Sequence, residues 1–151
     1  MLATLLFCTV VGISDGDTLT ARCGADAGPH TLVVRLAEID SPERRQPYGW
    51  NSRQQLASLC FREAARIRPE SLDRYGRTVA HVTCRGADAS AEQVRAGMAW
   101  VFDRYATQAS LYRLEAEARQ ARRGLWSAPA PMAPWEWRRR EQARRDSFAS
   151  P

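Results

Sequence analysis

The chain has 151 residues, is 44% hydrophobic, and carries 22 basic residues, all arginine, against 17 acids. A single domain of this size buries a sizeable core, and the complete lack of lysine excludes Schiff-base, P-loop and lysine-nucleophile chemistry. Two histidines are too few for a multi-histidine metal centre, and the formal charge of +5 points to an anionic partner.

Residues 4–14 and 17–23 read as two strands joined by the Asp-Gly pair 15–16, a hairpin signal. Residues 24–30 are turn-rich. Thr31 to Ile39 is a Val-rich third strand, broken by Asp40-Ser41-Pro42-Glu43, because Pro42 disfavours helix at the residue before it. A polar loop at 44–48 leads to a helix over Asn51–Ala65, with Leu56, Leu59, Cys60 and Glu63 at helical spacing. Ile67 to Leu72 is a short extended piece containing Pro69. Arg77 to Cys84 alternates as a strand, and Ala89 to Ala96 is a short helix closed by Gly97. Thr107 to Arg123 is a longer helix stopped by Gly124. Residues 128–134 form a Pro/Ala linker, followed by Trp135-Glu136-Trp137 and a run of arginines. Strands first with helices interleaved and later indicate an α+β domain.

Four cysteines at wide spacing suit two disulfides better than a zinc site. With Asp15-Gly16 as a two-residue loop, Cys8 and Cys23 fall directly opposite across the hairpin. Cys60–Cys84 then follows by elimination. The alternative is four buried free thiols in a cytosolic protein. Disulfides imply an oxidising compartment, yet the first eleven residues lack a basic n-region and a small-residue cleavage site. An export signal is therefore expected upstream, and the protein is expected to be periplasmic or secreted. No apolar run approaches the ~18 residues of a membrane span.

Carboxylates and arginines gather at the predicted strand ends. Arg35 interrupts an apolar run, and a charge in a buried strand is paired or put to use. Asp40 and Glu43 follow it, Asp17 sits at the exit of the hairpin turn, and Arg77 opens the next strand. Taken singly, each is explained by a salt bridge or by turn chemistry. Together they suit a hard cation and metal-assisted attack on a phosphodiester, whose transition state needs its charge stabilised.

Asp15-Gly16-Asp17-Thr18, Arg35-Leu36 through Asp40-Ser41-Pro42-Glu43, Asp73-Arg74-Tyr75-Gly76-Arg77, Val94-Arg95-Ala96-Gly97-Met98-Ala99 and Gly124-Leu125-Trp126-Ser127 resemble the staphylococcal nuclease (thermonuclease) family, in order and relative spacing. The resemblance implies a five-stranded OB-type β-barrel with three helices, and Ca²⁺-dependent hydrolysis of DNA and RNA leaving 3′-phosphates; a monomer is expected. By that likeness Asp17 and Asp40 are carboxylate ligands of Ca²⁺, with the backbone carbonyl of Ser41 as a third. Glu43 is the general base toward the attacking water, or else holds metal-bound water. Arg35 and Arg77 bind the scissile phosphate, for which a guanidinium is suited by its two-pronged grip. Arg74, Tyr75 and Tyr105 are substrate-binding. Ser41 replaces the type member's Thr, Arg74 replaces a Lys, and Asp103 replaces one of two expected tyrosines. The loop after Glu43 is shorter than in the type member.

Residues 1–127 thus read as the nuclease-like domain and 128–151 as the linker and Arg-rich tail. The alternative function is a non-catalytic nucleic-acid-binding module on the same fold. A third option is a structural domain whose arginines meet an acidic protein. Residues 119–145 hold eight arginines and two acids, whereas residues 1–118 are neutral overall. These eight arginines are expected to supply sequence-independent attraction to a polyanion. Trp50, Trp100 and Trp126 are expected in the core, and the Trp135/Trp137 pair is expected to fold back on the body.

Overall fold

In the computed structural model, which describes residues 4–24, 28–102 and 108–149, the chain forms a closed five-stranded barrel with helices packed around it. The strands are β1 (Leu6–Asp15), β2 (Thr18–Cys23), β3 (His30–Leu36), β5 (Ala64–Leu72) and β6 (Thr78–Cys84), with three two-residue strands, β4 (Ile39–Asp40), β7 (Ala87–Asp88) and β8 (Trp100–Val101). The sheet runs β3-β2-β1-β5-β6-β7, and parallel pairing of β3 with β6 closes it. β4 and β8 pair separately, setting Asp40 opposite Trp100. Period-two alternation turns Val10, Leu19, Ala21, Val34, Leu36, Ile67, Ala80 and Val82 inward, where they form the barrel core.

Four α-helices stand among the described residues where three were expected: α1 (Gly49–Cys60), α2 (Ala89–Arg95), α3 (Ala109–Gln120) and α4 (Pro134–Ala149). The fourth lies in the segment read as a tail. Helix α1 stops five residues before the expected end. Arg62 adopts φ 65° and the chain reverses, so Ala64 and Ala65 pair with Thr9 and Cys8 of β1. Sheet pairing there overrides the helix preference of the Ala pair.

Both disulfides form as read, Cys8–Cys23 and Cys60–Cys84, with Cα separations of 4.3 and 5.4 Å. The first rests on a different register from the one expected. Asp15 pairs with Thr18, so the loop residues are Gly16 and Asp17. Two bulges, between Ile13 and Asp15 and between Val10 and Gly12, then bring Cys8 back opposite Cys23.

Candidate active site

The site is built at the turn end of the β1–β2 hairpin, and buried polar side chains hold that turn. Gln93 of α2 donates to the Gly16 carbonyl at 2.7 Å and to the Ser52 carbonyl at 2.9 Å, and Ser52 Oγ donates to the Met98 carbonyl at 2.6 Å. A Cβ at position 16 would drive into the Ser52 side chain, so only glycine lets α1 approach this closely.

Arg35 organises the centre. Its Nη1 donates to the Leu36 and Ile39 carbonyls, both at 2.9 Å, which fixes the turn between β3 and β4. Its Nη2 lies 3.4 Å from both Asp17 Oδ2 and Asp40 Oδ1. Both carboxylates are buried, Asp17 at 5% exposure and Asp40 at 1%. Asp17 Oδ2 accepts from the Ser41 amide at 2.8 Å, and Oδ1 from Thr18 Oγ1 at 2.9 Å.

These contacts set the protonation. Burial pushes Asp17 up, but Arg35 and hydrogen bonds from Asp15, the Ser41 amide and Thr18 outweigh it and hold the carboxyl below its usual range. Burial, and then the Asp17 charge, push Asp15 up to about 7, so the two share one proton unevenly. Burial also raises Asp40, and hydrogen bonds from Arg138 only partly offset it.

Glu43 stands on the loop entering α1. Its amide donates to Gln46 Oε1 at 3.1 Å, and Gln46 Nε2 donates to the Met132 carbonyl at 2.6 Å. Gly49 is packed so tightly under this loop that a Cβ there would collide with the Glu43 carbonyl oxygen. Gly49→Ala is therefore expected to cost about 1–3 kcal/mol through overpacking and to displace Glu43. Denaturant melts and the cleavage rate would both register the change.

Arg138 of α4 reaches the same cluster. Its guanidinium forks onto Asp40, Nη2–Oδ2 at 2.7 Å and Nη1–Oδ1 at 3.1 Å, and Nη1 also donates to Glu43 Oε1 at 2.6 Å. Burial alone would lower the Arg138 pKa, but Asp40 and Glu43 raise it above the ordinary arginine value.

The structure thus brings together Asp17, Arg35, Asp40, Ser41 and Glu43. Arg77 does not contact this group. Its Nε pairs with Asp73 Oδ2 at 2.7 Å, and its guanidinium and that of Arg74 lie 5.4 and 5.1 Å from the Tyr75 ring. These three residues cluster at the β5–β6 turn, Arg74 and Tyr75 exposed and Arg77 half-buried. Tyr105 and Asp103 lie outside the described residues.

Asp15, Ser52, Gln93, Gln46 and Arg138 were not read as part of the site. Asp15 was visible in the Asp-Gly-Asp sequence, but its burial was not. Little local marks the others: Gln46 bonds the nearby Glu43 amide, but the remaining partners lie 41 to 98 positions away. Trp50, expected in the core, is 61% exposed. It lines a cleft of about 310 Å³ with Ser14, Asp15, Arg44, Gly49 and Arg53 at the edge of the site. A larger cleft of about 630 Å³ lies by the Cys8–Cys23 bridge, away from the carboxylates.

The donor set fits a hard cation. Two buried carboxylates face each other across the Arg35 Nη2, and the Ser41 Oγ is buried without a hydrogen-bond partner. Among the described residues no three His, Cys, Asp or Glu side chains gather as a metal cluster. Two carboxylates and a carbonyl, completed by water, suit the loose oxygen coordination of Ca²⁺.

Residues 33–128 match the family described as Staphylococcal nuclease homologue. The chain is 40% identical over 141 residues to the micrococcal nuclease of Shigella flexneri, covering 86% of this chain and 79% of that protein. It is 38% identical over 135 residues to an uncharacterized endonuclease of Haemophilus influenzae, covering 89% and 74%. The staphylococcal-like nuclease CAN1 of Arabidopsis thaliana is 37% identical over 109 residues, 72% of this chain and 34% of the plant protein.

Proposed function

The chain belongs to the staphylococcal nuclease family, and from that premise we propose that it is a Ca²⁺-dependent nuclease hydrolysing phosphodiesters of DNA and RNA at the Arg35-centred cluster. The observation that carries this reading is the convergence of the buried Asp17 and Asp40 carboxylates on one Arg35 nitrogen, with Glu43 beside them. Asp17, Asp40 and the Ser41 carbonyl would hold Ca²⁺, which supplies charge neutralisation for the phosphate and acidifies water.

Glu43 accepts the proton of the attacking water. The water oxygen bonds to phosphorus as the bond to the 5′-oxygen breaks, and the leaving 5′-oxygen takes a proton from solvent, giving a 3′-phosphate and a 5′-hydroxyl. Arg35 stabilises the charge that builds on the phosphate oxygens. Arg77, Arg74 and Tyr75 bind the substrate from the β5–β6 turn, and Tyr105 is a further substrate-binding residue. A carboxylate base makes a catalytic histidine unnecessary. His81 serves packing: it pairs with Glu70 and lies 3.9 Å from Glu38.

The two disulfides suit an oxidising compartment, and we place the protein in the periplasm or outside the cell. No helix among the described residues is long and apolar enough to cross a membrane.

Digestion of plasmid and RNA with Ca²⁺ and with EDTA tests the proposal. EDTA is expected to abolish cleavage, and Glu43→Ala to lower it by about 10²–10⁴-fold, the usual worth of a positioned base. Undiminished cleavage in EDTA would remove the metal assignment. Binding to single strands without Ca²⁺-stimulated cleavage would point instead to the non-catalytic module.

A further inference from the structure

We propose that Arg138 is a built-in competitor for the cation position, so that helix α4 sets the metal affinity of the site. The identity of that position rests on the nuclease reading; the competition rests on contacts in this chain.

Arg138 takes both carboxylate oxygens of Asp40 and one of Glu43. Asp40 is almost wholly buried, so no solvent counter-charge substitutes for the guanidinium. A divalent cation that uses Asp40 as a ligand places like charge against Arg138 at contact distance, and the two cannot both keep that carboxylate. Arg138 is 44% exposed at its side chain, so it can leave toward solvent without opening the core.

Its position is not incidental to a loose tail. Trp135, one turn earlier on the same face of α4, stacks on Phe102 and meets Trp100 edge-on, each at 5.6 Å between centroids. Pro134 opens the helix and is buried. Trp100 itself pairs with Asp40 across the β4–β8 ladder, so the seat of α4 and the carboxylate it delivers to are neighbours. Gln46 binds both the Glu43 amide and the Met132 carbonyl just ahead of α4, which couples the Glu43 loop to the helix lead-in. Arg140 and Arg144 instead pair within the helix, with Glu136 and Glu141. The segment lies beyond the residues 33–128 matched to the family.

The test is calorimetric titration of Ca²⁺ into the full chain, wild type and Arg138→Gln, with thermal melts in EDTA and in Ca²⁺. The Kd for Ca²⁺ is expected to fall at least about tenfold in Arg138→Gln, the least that loss of an ion pair with a buried carboxylate implies. The same variant should melt below wild type in EDTA, since Asp40 keeps only Arg35 of its two guanidinium partners, yet gain more from Ca²⁺. Arg138→Lys, which keeps the charge but not the fork, should fall between them. A merely structural arginine would lower both melts alike and leave the Kd unchanged. An unchanged or weaker Ca²⁺ affinity, or no Ca²⁺ binding by either protein, overturns the proposal. Loss of the nuclease reading would show separately, as absent digestion despite tighter Ca²⁺ binding in Arg138→Gln.

Discussion

Arg35→Ala is expected to abolish measurable cleavage and to cost about 3–5 kcal/mol of stability, the usual penalty for breaking a buried ion pair from one side. The side chain is 14% exposed and does three things at once. It closes the Leu36–Ile39 turn through two carbonyls, it neutralises Asp17, and it neutralises Asp40. Without it, two buried carboxylates face each other across the position it occupied. Asp17 loses the largest influence holding it ionised. Ca²⁺ should restore part of the stability, because a cation replaces the missing charge, but none of the rate, because the phosphate contact is gone. Arg35→Lys should recover stability better than activity, since an ammonium cannot bridge two carbonyls and two carboxylates in one plane. Melts in EDTA and in Ca²⁺, run beside the digestion assay, separate the two effects. Near-normal cleavage by Arg35→Ala would place phosphate recognition elsewhere, with Arg77 the first candidate.

The second large effect is expected from reduction. Cys8–Cys23 and Cys60–Cys84 span 15 and 24 residues, and closing loops of that size restricts the unfolded chain by about 3 kcal/mol each. Both bridges are buried in the core, so reduction also opens packed surface. A combined loss of about 6 kcal/mol corresponds to a melting point roughly 12–24 °C lower for a domain of this size. Cleavage at low temperature should survive, because the Cys8–Cys23 bridge sits at the end of β1 and β2 away from the Asp17 turn. Melts with and without a thiol reductant check this, with free thiols counted to confirm reduction. A melting point that does not move would show that the barrel core alone carries the fold.

What was legible in the sequence was local. Asp17, Arg35, Asp40 and Glu43 sit in short motifs at strand ends, and strand ends are where turn residues and Pro42 mark the chain. The barrel strands alternate cleanly enough to be placed within a few residues. The Cys8–Cys23 pairing was reached through a loop one residue out of place, and two bulges that leave no sequence mark made it correct. Helix α4 was not legible because its apolar residues have no helical period. Its stability comes from Pro134 at the first turn, Glu136 near the positive end of the helix dipole, and ion pairs such as Glu136–Arg140. Several of the eight arginines of 119–145 have partners of their own. Arg138 enters the site, Arg119 lies 4.2 Å from the Trp126 ring centroid and pairs with Glu115, and Arg140 and Arg144 bind acids of their own helix.

The aromatic seat of α4 gives the protein its own optical reporter. Trp126, Trp100 and Trp135 form one chain of touching rings, with Trp126 and Trp100 only 4.5 Å apart. Undocking α4 takes Trp135 out of that chain and wets the face of Trp100 it covered. A shift in intrinsic emission would therefore report movement of the helix directly, with no label, and its amplitude should fall in Trp135→Phe, leaving only the Trp100 contribution.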